Sequence, residues 1–284
     1  MRLRWGFLLV PVLLVFGVFY LVPTATFVLS GFRPELGLGR VGDTFTLENF
    51  RLLLTDWFFL WVLANTAKLS LYITGISLLL GFPMGYILAR SGPRAANLLV
   101  PILLLSSFIT LVIRALGWVI LLGNNGPVNR TLLFLGVAGE PVQFLNHPRG
   151  VVLGMVHYVL PLMVLSLMSV VKTIPVSLEQ AAENLGAGRL RVYTRVVLPL
   201  SLPGILSASL VIFSLSMGVF ATPLLLGGGK VYVLPILIYQ EITAKTRYAM
   251  GAAMALVLVA LVLLINALST ALAARFQAPR RAAP

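Results

Sequence analysis

The chain has no cysteine. Disulfides, thiolate metal sites and cysteine nucleophiles are excluded together. Histidine is nearly absent: His147 and His157 are the whole supply, and they form no H-E-x-x-H zinc motif. Neither G-x-S-x-G nor a Walker A loop occurs, so the chain has no hydrolase elbow and cannot cradle ATP phosphates itself. Charge is also scarce, at 10% of residues, where soluble domains carry about 25%. That is too little to cover a water-facing surface, which excludes a soluble domain and points to an integral membrane protein. The eight carboxylates are Glu35, Asp43, Glu48, Asp56, Glu140, Glu179, Glu183 and Glu241, all in loops or at segment ends. A proton- or ion-coupled pump keeps an acid inside a span, and an enzyme needs converging acids, bases or metal ligands. Neither a self-powered transporter nor a membrane-embedded enzyme finds its working groups here. No metal and no cofactor are expected.

What is present is apolar length. Windows long enough to cross a bilayer fall at about 6–30, 58–88, 96–122, 150–171, 202–226 and 249–274. Each is expected to cross as a helix, because hydrocarbon leaves no backbone group unpaired at low cost. The first resembles a signal peptide, but Gly6–Leu29 is long enough to span, and we read it as a retained helix. Trp57, Trp61 and Trp118 fall where an interfacial aromatic belt is expected. No repeat or low-complexity linker breaks the chain. Residues 1–57 read as a first helix and outer loop, 58–274 as a core with a hairpin at 177–199, and 275–284 as a basic tail.

The net charge of +13 would suit nucleic acid if it were spread over one face. It is instead divided by side. Arg2, Arg4, Arg90, Arg94, Lys172, Arg189, Arg191, Arg195, Arg275, Arg280 and Arg281 share one side with only Glu179 and Glu183. The other loops hold the remaining acids and a near-equal number of cations. The positive-inside rule makes the first side cytoplasmic, with both termini inside. The charge is a topology signal, and no nucleic-acid partner is implied.

The outer loops carry local signals. Thr46 is placed to N-cap a short helix in FTLENFRLLL. Asn124-Asn125-Gly126-Pro127 reads as a turn, and Gly227-Gly228-Gly229 as a bend. Two cations lie within spans. Lys68, near an end, snorkels to the surface. A charge at the depth of Arg114 costs about 2.5–3.5 kcal/mol on insertion scales. Arg114 therefore lines the outer half of a path or pins a subunit contact, or else it hydrogen-bonds loop carbonyls. Gly81 and Gly85 form a G-x-x-x-G that suits close helix approach, although the nearby Arg90 favours a plain helix end. The fifth span is rich in small polar residues (Ser207, Ser209, Ser214, Ser216, Gly218), which suit close packing or a wet path. Ser214, Phe213 and Phe220 are candidate path and gate residues beside Arg114.

The polar interruption SLEQAAENLGAGRLRVYTRVVLPLSLPGI, 177–205, is the most informative stretch. Ser177 and Gln180 fit a capping box. Glu179 suits a helix N-terminus. Leu178, Ala181, Ala182 and Leu185 share one apolar face, and Gly186 sits where a left-handed cap ends the helix. A helix of about two turns cannot stand alone, so it must dock. A second piece places Leu190, Tyr193, Thr194 and Val197 on one face, and Pro199 and Pro203 delimit the return to the membrane. The result is a helix–turn–helix tethered at both ends to spans. It acts as a lever for a soluble partner or lies as an amphipathic hairpin on the membrane.

Gln180-Ala181-Ala182, Gly186, Val196 and Leu198-Pro199 match the spacing of E-A-A-x-x-x-G-x9-I-x-L-P. In this respect the chain resembles the permease subunits of binding-protein-dependent ABC importers. It departs from the pattern in holding Gln180 at the glutamate position, with Glu179 just before it, and valine for isoleucine. FTLENFRLLL, the Ser107…Arg114-x-x-Gly117-Trp118 pattern and the G-x-x-G-P-x-N run at 123–129 resemble the polyamine branch, and the similarity covers most of 44–270. The resemblance implies an all-α, MetI-like type I permease of six transmembrane helices with a cytoplasmic coupling helix. It implies a permease partner, two ATPase subunits and an external solute-binding protein. Glu179, Gln180, Ala181, Ala182, Gly186, Ala187, Leu198 and Pro199 would form the coupling contact. Polyamine is the implied cargo; opines, amino acid derivatives, phosphonates and iron are carried by related importers. The alternative outside transport is a membrane-embedded enzyme or assembly factor that uses the hairpin as an interaction site.

Overall fold

A computed structural model describes residues 9–281 of the protein, with side-chain burial for 11–271. The start of the expected first helix (6–8), Arg2, Arg4 and residues 282–284 of the tail lie outside the described residues. Helices dominate: α1 (Leu9–Phe16) and α2 (Val22–Ser30), joined by a π turn; α3 (Glu48–Thr55); α4 (Trp57–Arg90); α5 (Pro93–Phe108); α6 (Leu111–Leu122); α7 (Pro127–Phe134); α8 (Pro148–Lys172); α9 (Val176–Asn184); α10 (Arg189–Val192); α11 (Leu198–Gly218); α12 (Ala221–Gly227); α13 (Leu234–Thr243) and α14 (Tyr248–Arg281). Among the described residues, six stretches of helix are long and apolar enough to cross a membrane. The all-α expectation misses one small feature. Strands β1 (Glu35–Gly37) and β2 (Arg40–Val41) form a hairpin whose tip, Gly37-Leu38-Gly39, has positive φ throughout.

Two compact units divide the chain. One comprises 1–64 and 234–261, the other 65–233 and 262–284.

In the first unit, polar side chains tie loops to helix ends, Asn49 from a buried position. Asn49 donates to the carbonyls of Gly31 and Arg33 at 3.0 and 2.8 Å. Thr46 Oγ1 accepts the Glu48 N–H at 3.1 Å, although the N-cap position of α3 is held by Leu47 and not, as expected, by Thr46. Asp56 Oδ1 accepts the Phe58 N–H at the start of α4 (2.9 Å). Glu35 Oε2 accepts the Ala249 N–H at 2.9 Å, supplying an acceptor to the orphan donors that begin α14.

The second unit is organised round α8, and glycine sets its closest approaches. A Cβ on Gly81 would lie 2.8 Å from Met163 Cγ, and one on Gly85 would lie 3.0–3.1 Å from the α8 backbone and Leu167. A Cβ on Gly204 would overlap Val170, bringing α11 equally close, and one on Gly154 would meet Leu226 of α12 at 2.5 Å. Gly81 and Gly85 are thus a packing motif, against the helix-end reading. Residues without a side chain let backbones approach where lipid offers no hydrophobic drive.

Two spanning windows are broken. The third divides at Ile109–Thr110, both extended, and the fifth at Val219–Phe220, between α11 and α12. The glycine bend after α12 is real: Gly228 and Gly229 are left-handed, and Asn146, whose N–H donates to the Leu226 carbonyl at 2.8 Å, fills the space a Cβ on Gly228 would need.

Candidate functional site

Helix α9 follows α8 after three residues. It starts at Val176, behind Pro175, with no side-chain cap. The expected Ser177–Gln180 capping box is therefore absent. The Pro175 carbonyl accepts the Leu178 N–H at 3.2 Å, which places Ser177 inside the first turn, two positions too late to cap. The C-terminus behaves as its glycine demands. Gly186 has φ +84, its N–H donates to Glu183 O at 2.8 Å, and the Ala187 N–H donates to Ala182 O at 3.0 Å. These two bonds are a Schellman motif.

The faces of α9 are unlike. Leu178, Ala181 and Leu185 point to solvent, Leu185 at 90% exposure, and Gln180 and Glu183 are exposed with them. Glu179 is turned the other way and is only 7% exposed. Its Oε1 accepts from Arg90 Nε at 2.7 Å, and its Oε2 from the Tyr86 hydroxyl at 2.9 Å. The same guanidinium donates to the Ile174 carbonyl at 2.9 Å. Tyr86 meets Tyr193 edge-on at 5.2 Å, and Phe82 packs on Tyr193 at 5.3 Å.

The second piece of the expected hairpin is the foot of a span. Arg189–Gly218 is one continuous helical stretch, with a π turn at Tyr193–Val197. That turn precedes Pro199, which has no N–H to give a normal i−4 bond. It splits the expected face: Val192 and Val197 are buried, whereas Leu190 is 76% exposed. Leu198 and Pro199 sit at the start of α11, half-buried.

Arg114 is 6% exposed, and its surroundings explain why. The break after α5 leaves carbonyls without helical donors. The Arg114 guanidinium donates to Ser106 O, to Ile109 O (3.3 Å) and to Tyr158 O of α8 (3.4 Å), and it lies 5.3 Å from the Tyr158 ring centroid. This is the carbonyl-bonded arrangement, made necessary by backbone that is not helical at membrane depth. Arg114→Leu is expected to strand the Ser106 and Ile109 carbonyls at about 1–3 kcal/mol each. A fall in the detergent-solubilised thermal midpoint would record it. Lys68 is exposed and lies 5.9 Å from the Tyr72 ring centroid.

The other path candidates lie elsewhere. Ser214 Oγ donates to Leu210 O at 2.8 Å and accepts from Asn266 at 2.9 Å. Phe213 is buried, and Phe220 is half-exposed at the α11–α12 break. None of the four lines the small cavity between α4, α8, α11 and α12, which is walled by Thr66, Ser70, Met155, Ser216 and neighbours. Thr66, Ser70, Thr74 and Ser77 form a buried hydroxyl row on α4, spaced for one helix face. Sequence reasoning passed it over, although the i, i+4, i+8, i+11 spacing was there to be read.

Residues 81–278 match the family described as binding-protein-dependent transport system inner membrane component. The chain belongs to that family. This permease is 30% identical over 247 residues to the spermidine/putrescine transport system permease protein PotB of Haemophilus influenzae, covering 87% of this chain and 86% of that one. Against PotB of Escherichia coli K12 the identity is 30% over 241 residues, covering 85% and 87%. It is also 31% identical over 224 residues to the molybdenum transport system permease ModB of Mycobacterium bovis, covering 74% and 83%. Among solved structures, a chain of the bacterial alginate ABC transporter in complex with its alginate-bound periplasmic protein superposes with TM-score 0.74 at 22% identity, covering 95% and 93%. A chain of the MetNI methionine ABC transporter gives TM-score 0.54 at 20% identity, covering 77% and 97%. The expected fold is therefore the observed one, and the protein is a multi-pass inner-membrane permease of an ABC importer.

In the permease, Asn129 of the G-x-x-G-P-x-N run is a fully buried clasp. It donates to Gly123 O and Val142 O (both 3.1 Å) and accepts from Val142 N (2.8 Å). Tyr86, Arg90 and Tyr193 are the residues round α9 that sequence reasoning missed. Arg90 was read as a topology charge and a helix-end marker, and nothing local marks it as the partner of an acid 89 positions away.

Proposed function

We propose that this permease imports a small polycation of the spermidine and putrescine class. The supporting observation is its 30% identity to PotB over 87% of the chain. In this reading residues 58–274 provide half of the translocation path and a second permease provides the other half. An external binding protein delivers the solute. ATP is hydrolysed on separate subunits, and both termini are cytoplasmic, as the distribution of basic residues favours. α9 is the coupling helix. Its exposed Leu178, Ala181 and Leu185 form the face that seats in an ATPase subunit, with Gln180, Ala182, Ala187 and Gly186 shaping its edge and end.

Proteoliposomes holding the permease with its cognate subunits, loaded with ATP, are expected to accumulate labelled spermidine and to lose the signal to excess putrescine. Robust import of another solute with no spermidine uptake would reject the substrate. A second reading, an anionic or neutral cargo, has its own support. The two buried carboxylates among the described residues, Glu179 and Glu241, already pair with Arg90 and Lys245, so neither offers a free charge to a polycation. Thermal-shift screening of the cognate binding protein separates the two readings directly.

A further inference from the structure

We infer that Glu179 and Arg90 form an internal tie that makes α9 move with the end of α4, so that Glu179 positions the coupling helix and does not contact the ATPase. The inference rests on α9 being the docking helix. The sequence motif leads one to expect an acid facing the partner. The geometry turns Glu179 inward instead, where both carboxylate oxygens are engaged within the chain, by Arg90 and Tyr86. Position 180 lies about 100° further round the helix. There Gln180 is exposed, and Glu183 beyond it is exposed too; these are the polar groups within a partner's reach. Moving the acid by one residue moves it from the outer face to the inner one.

The tie answers a mechanical need. α9 is covalently held only by the short linker 173–175 and by the glycine turn 185–188. Turns of that kind flex, and a load on α9 would be absorbed in them. A charge-assisted contact made through two donor nitrogens has defined geometry and resists such slippage, and burial protects it from screening by salt. Arg90 grips both ends of the problem, the acid on α9 and the Ile174 carbonyl just before it. Its own helix, α4, carries Gly81 and Gly85 packed on α8. Tyr86 and Phe82 extend the contact to Tyr193 at the foot of α11. Displacement of α9 is thus handed to α4 at one point, with α11 in register beside it.

The test uses the complete transporter, with its ATPase and binding protein, in proteoliposomes, reading substrate moved per ATP hydrolysed. Glu179→Gln and Arg90→Gln are expected to keep the ATPase bound in purification while that ratio falls roughly tenfold, the scale of single-residue effects on coupling. The charge exchange Arg90→Glu with Glu179→Arg is expected to recover part of the ratio, which a merely structural role would not produce. Should a single variant fail to assemble, the double variant Arg90→Gln with Glu179→Gln, which leaves no unpaired buried charge, carries the same expectation. An unchanged ratio in the assembled variants overturns the inference, as does an exchange no better than the single changes. Loss of the ATPase from Glu179→Gln also overturns it, because the acid would then be a docking contact. A wild-type complex whose ATPase does not touch α9 rejects the docking reading instead, and that result is visible before any variant is made.

Discussion

Glutamate at Leu185 is expected to release the ATPase from the permease and to abolish transport without unfolding the chain. Leu185 is 90% exposed, so its side chain contributes almost nothing to the isolated fold. The same apolar surface is what a partner groove would bury. Truncation of a central interface residue commonly costs about 2 kcal/mol or more, and placing a carboxylate in such a pocket adds the cost of desolvating it. Ala181→Glu, one turn earlier on the same face, should act alike. The measurement pairs co-purification of the ATPase with the thermal midpoint of the permease: the first is lost and the second is kept. Retained ATPase and normal uptake in both variants would remove α9 from the interface. This outcome differs from the one expected at Glu179, where the ATPase stays and the work per ATP is lost.

Leucine at Gly85 has the opposite signature. It should prevent a folded permease from accumulating at all. A Cβ there already presses on Met168 N, Val164 O and Leu167 Cβ at 3.0–3.1 Å, and two of those three are backbone atoms that cannot rotate away. Three further carbons can be housed only by parting α4 from α8. Overpacking costs typically 1–3 kcal/mol where side chains can yield. Here the main chain must yield, against a total stability of about 5–15 kcal/mol. Gly85→Ala should show a partial loss of the detergent-solubilised thermal midpoint. Gly75 on the same helix provides the control, since a Cβ there meets nothing within 4 Å. Gly75→Leu should leave yield and midpoint unchanged. Equal behaviour of the two leucine variants would contradict the packing of α4 on α8.

The pattern of what could be read in advance follows from the range of each physical effect. The spans were legible because membrane insertion depends on hydropathy summed over about 20 residues, a property of a window and not of its neighbours. The end of α9 was legible because only glycine enters the left-handed region cheaply, and Gly186 does so whatever surrounds it. The start of α9 was not. Ser177 fits a capping box in sequence, but the turn after α8 brings Pro175 to the boundary and leaves Ser177 within the helix. The breaks after Phe108 and Gly218 were hidden for a related reason: apolar composition continues across both, and neither carries a proline at the break. Arg114 shows both sides of the matter. Its cost in the membrane is evident from composition, whereas its partners, the carbonyls of Ser106, Ile109 and Tyr158, appear only once α5 stops.

From its residues alone this chain is committed to a membrane-spanning helical fold, to the boundaries of four of its spans within a turn or so, and to a short glycine-ended helix between two spans; the third and fifth windows are displaced by two turns or more, because apolar composition runs on across the breaks that divide them. Each of these is set by interactions local in the chain or by its solvent, so each is written in order along it. Which way Glu179 points, what Gly81 and Gly85 press against and which carbonyls Arg114 serves were decided by tertiary structure. Those outcomes depend on where one helix end meets another, and a rotation of one residue, about 100° on a helix, exchanges an inward-facing group for an outward-facing one.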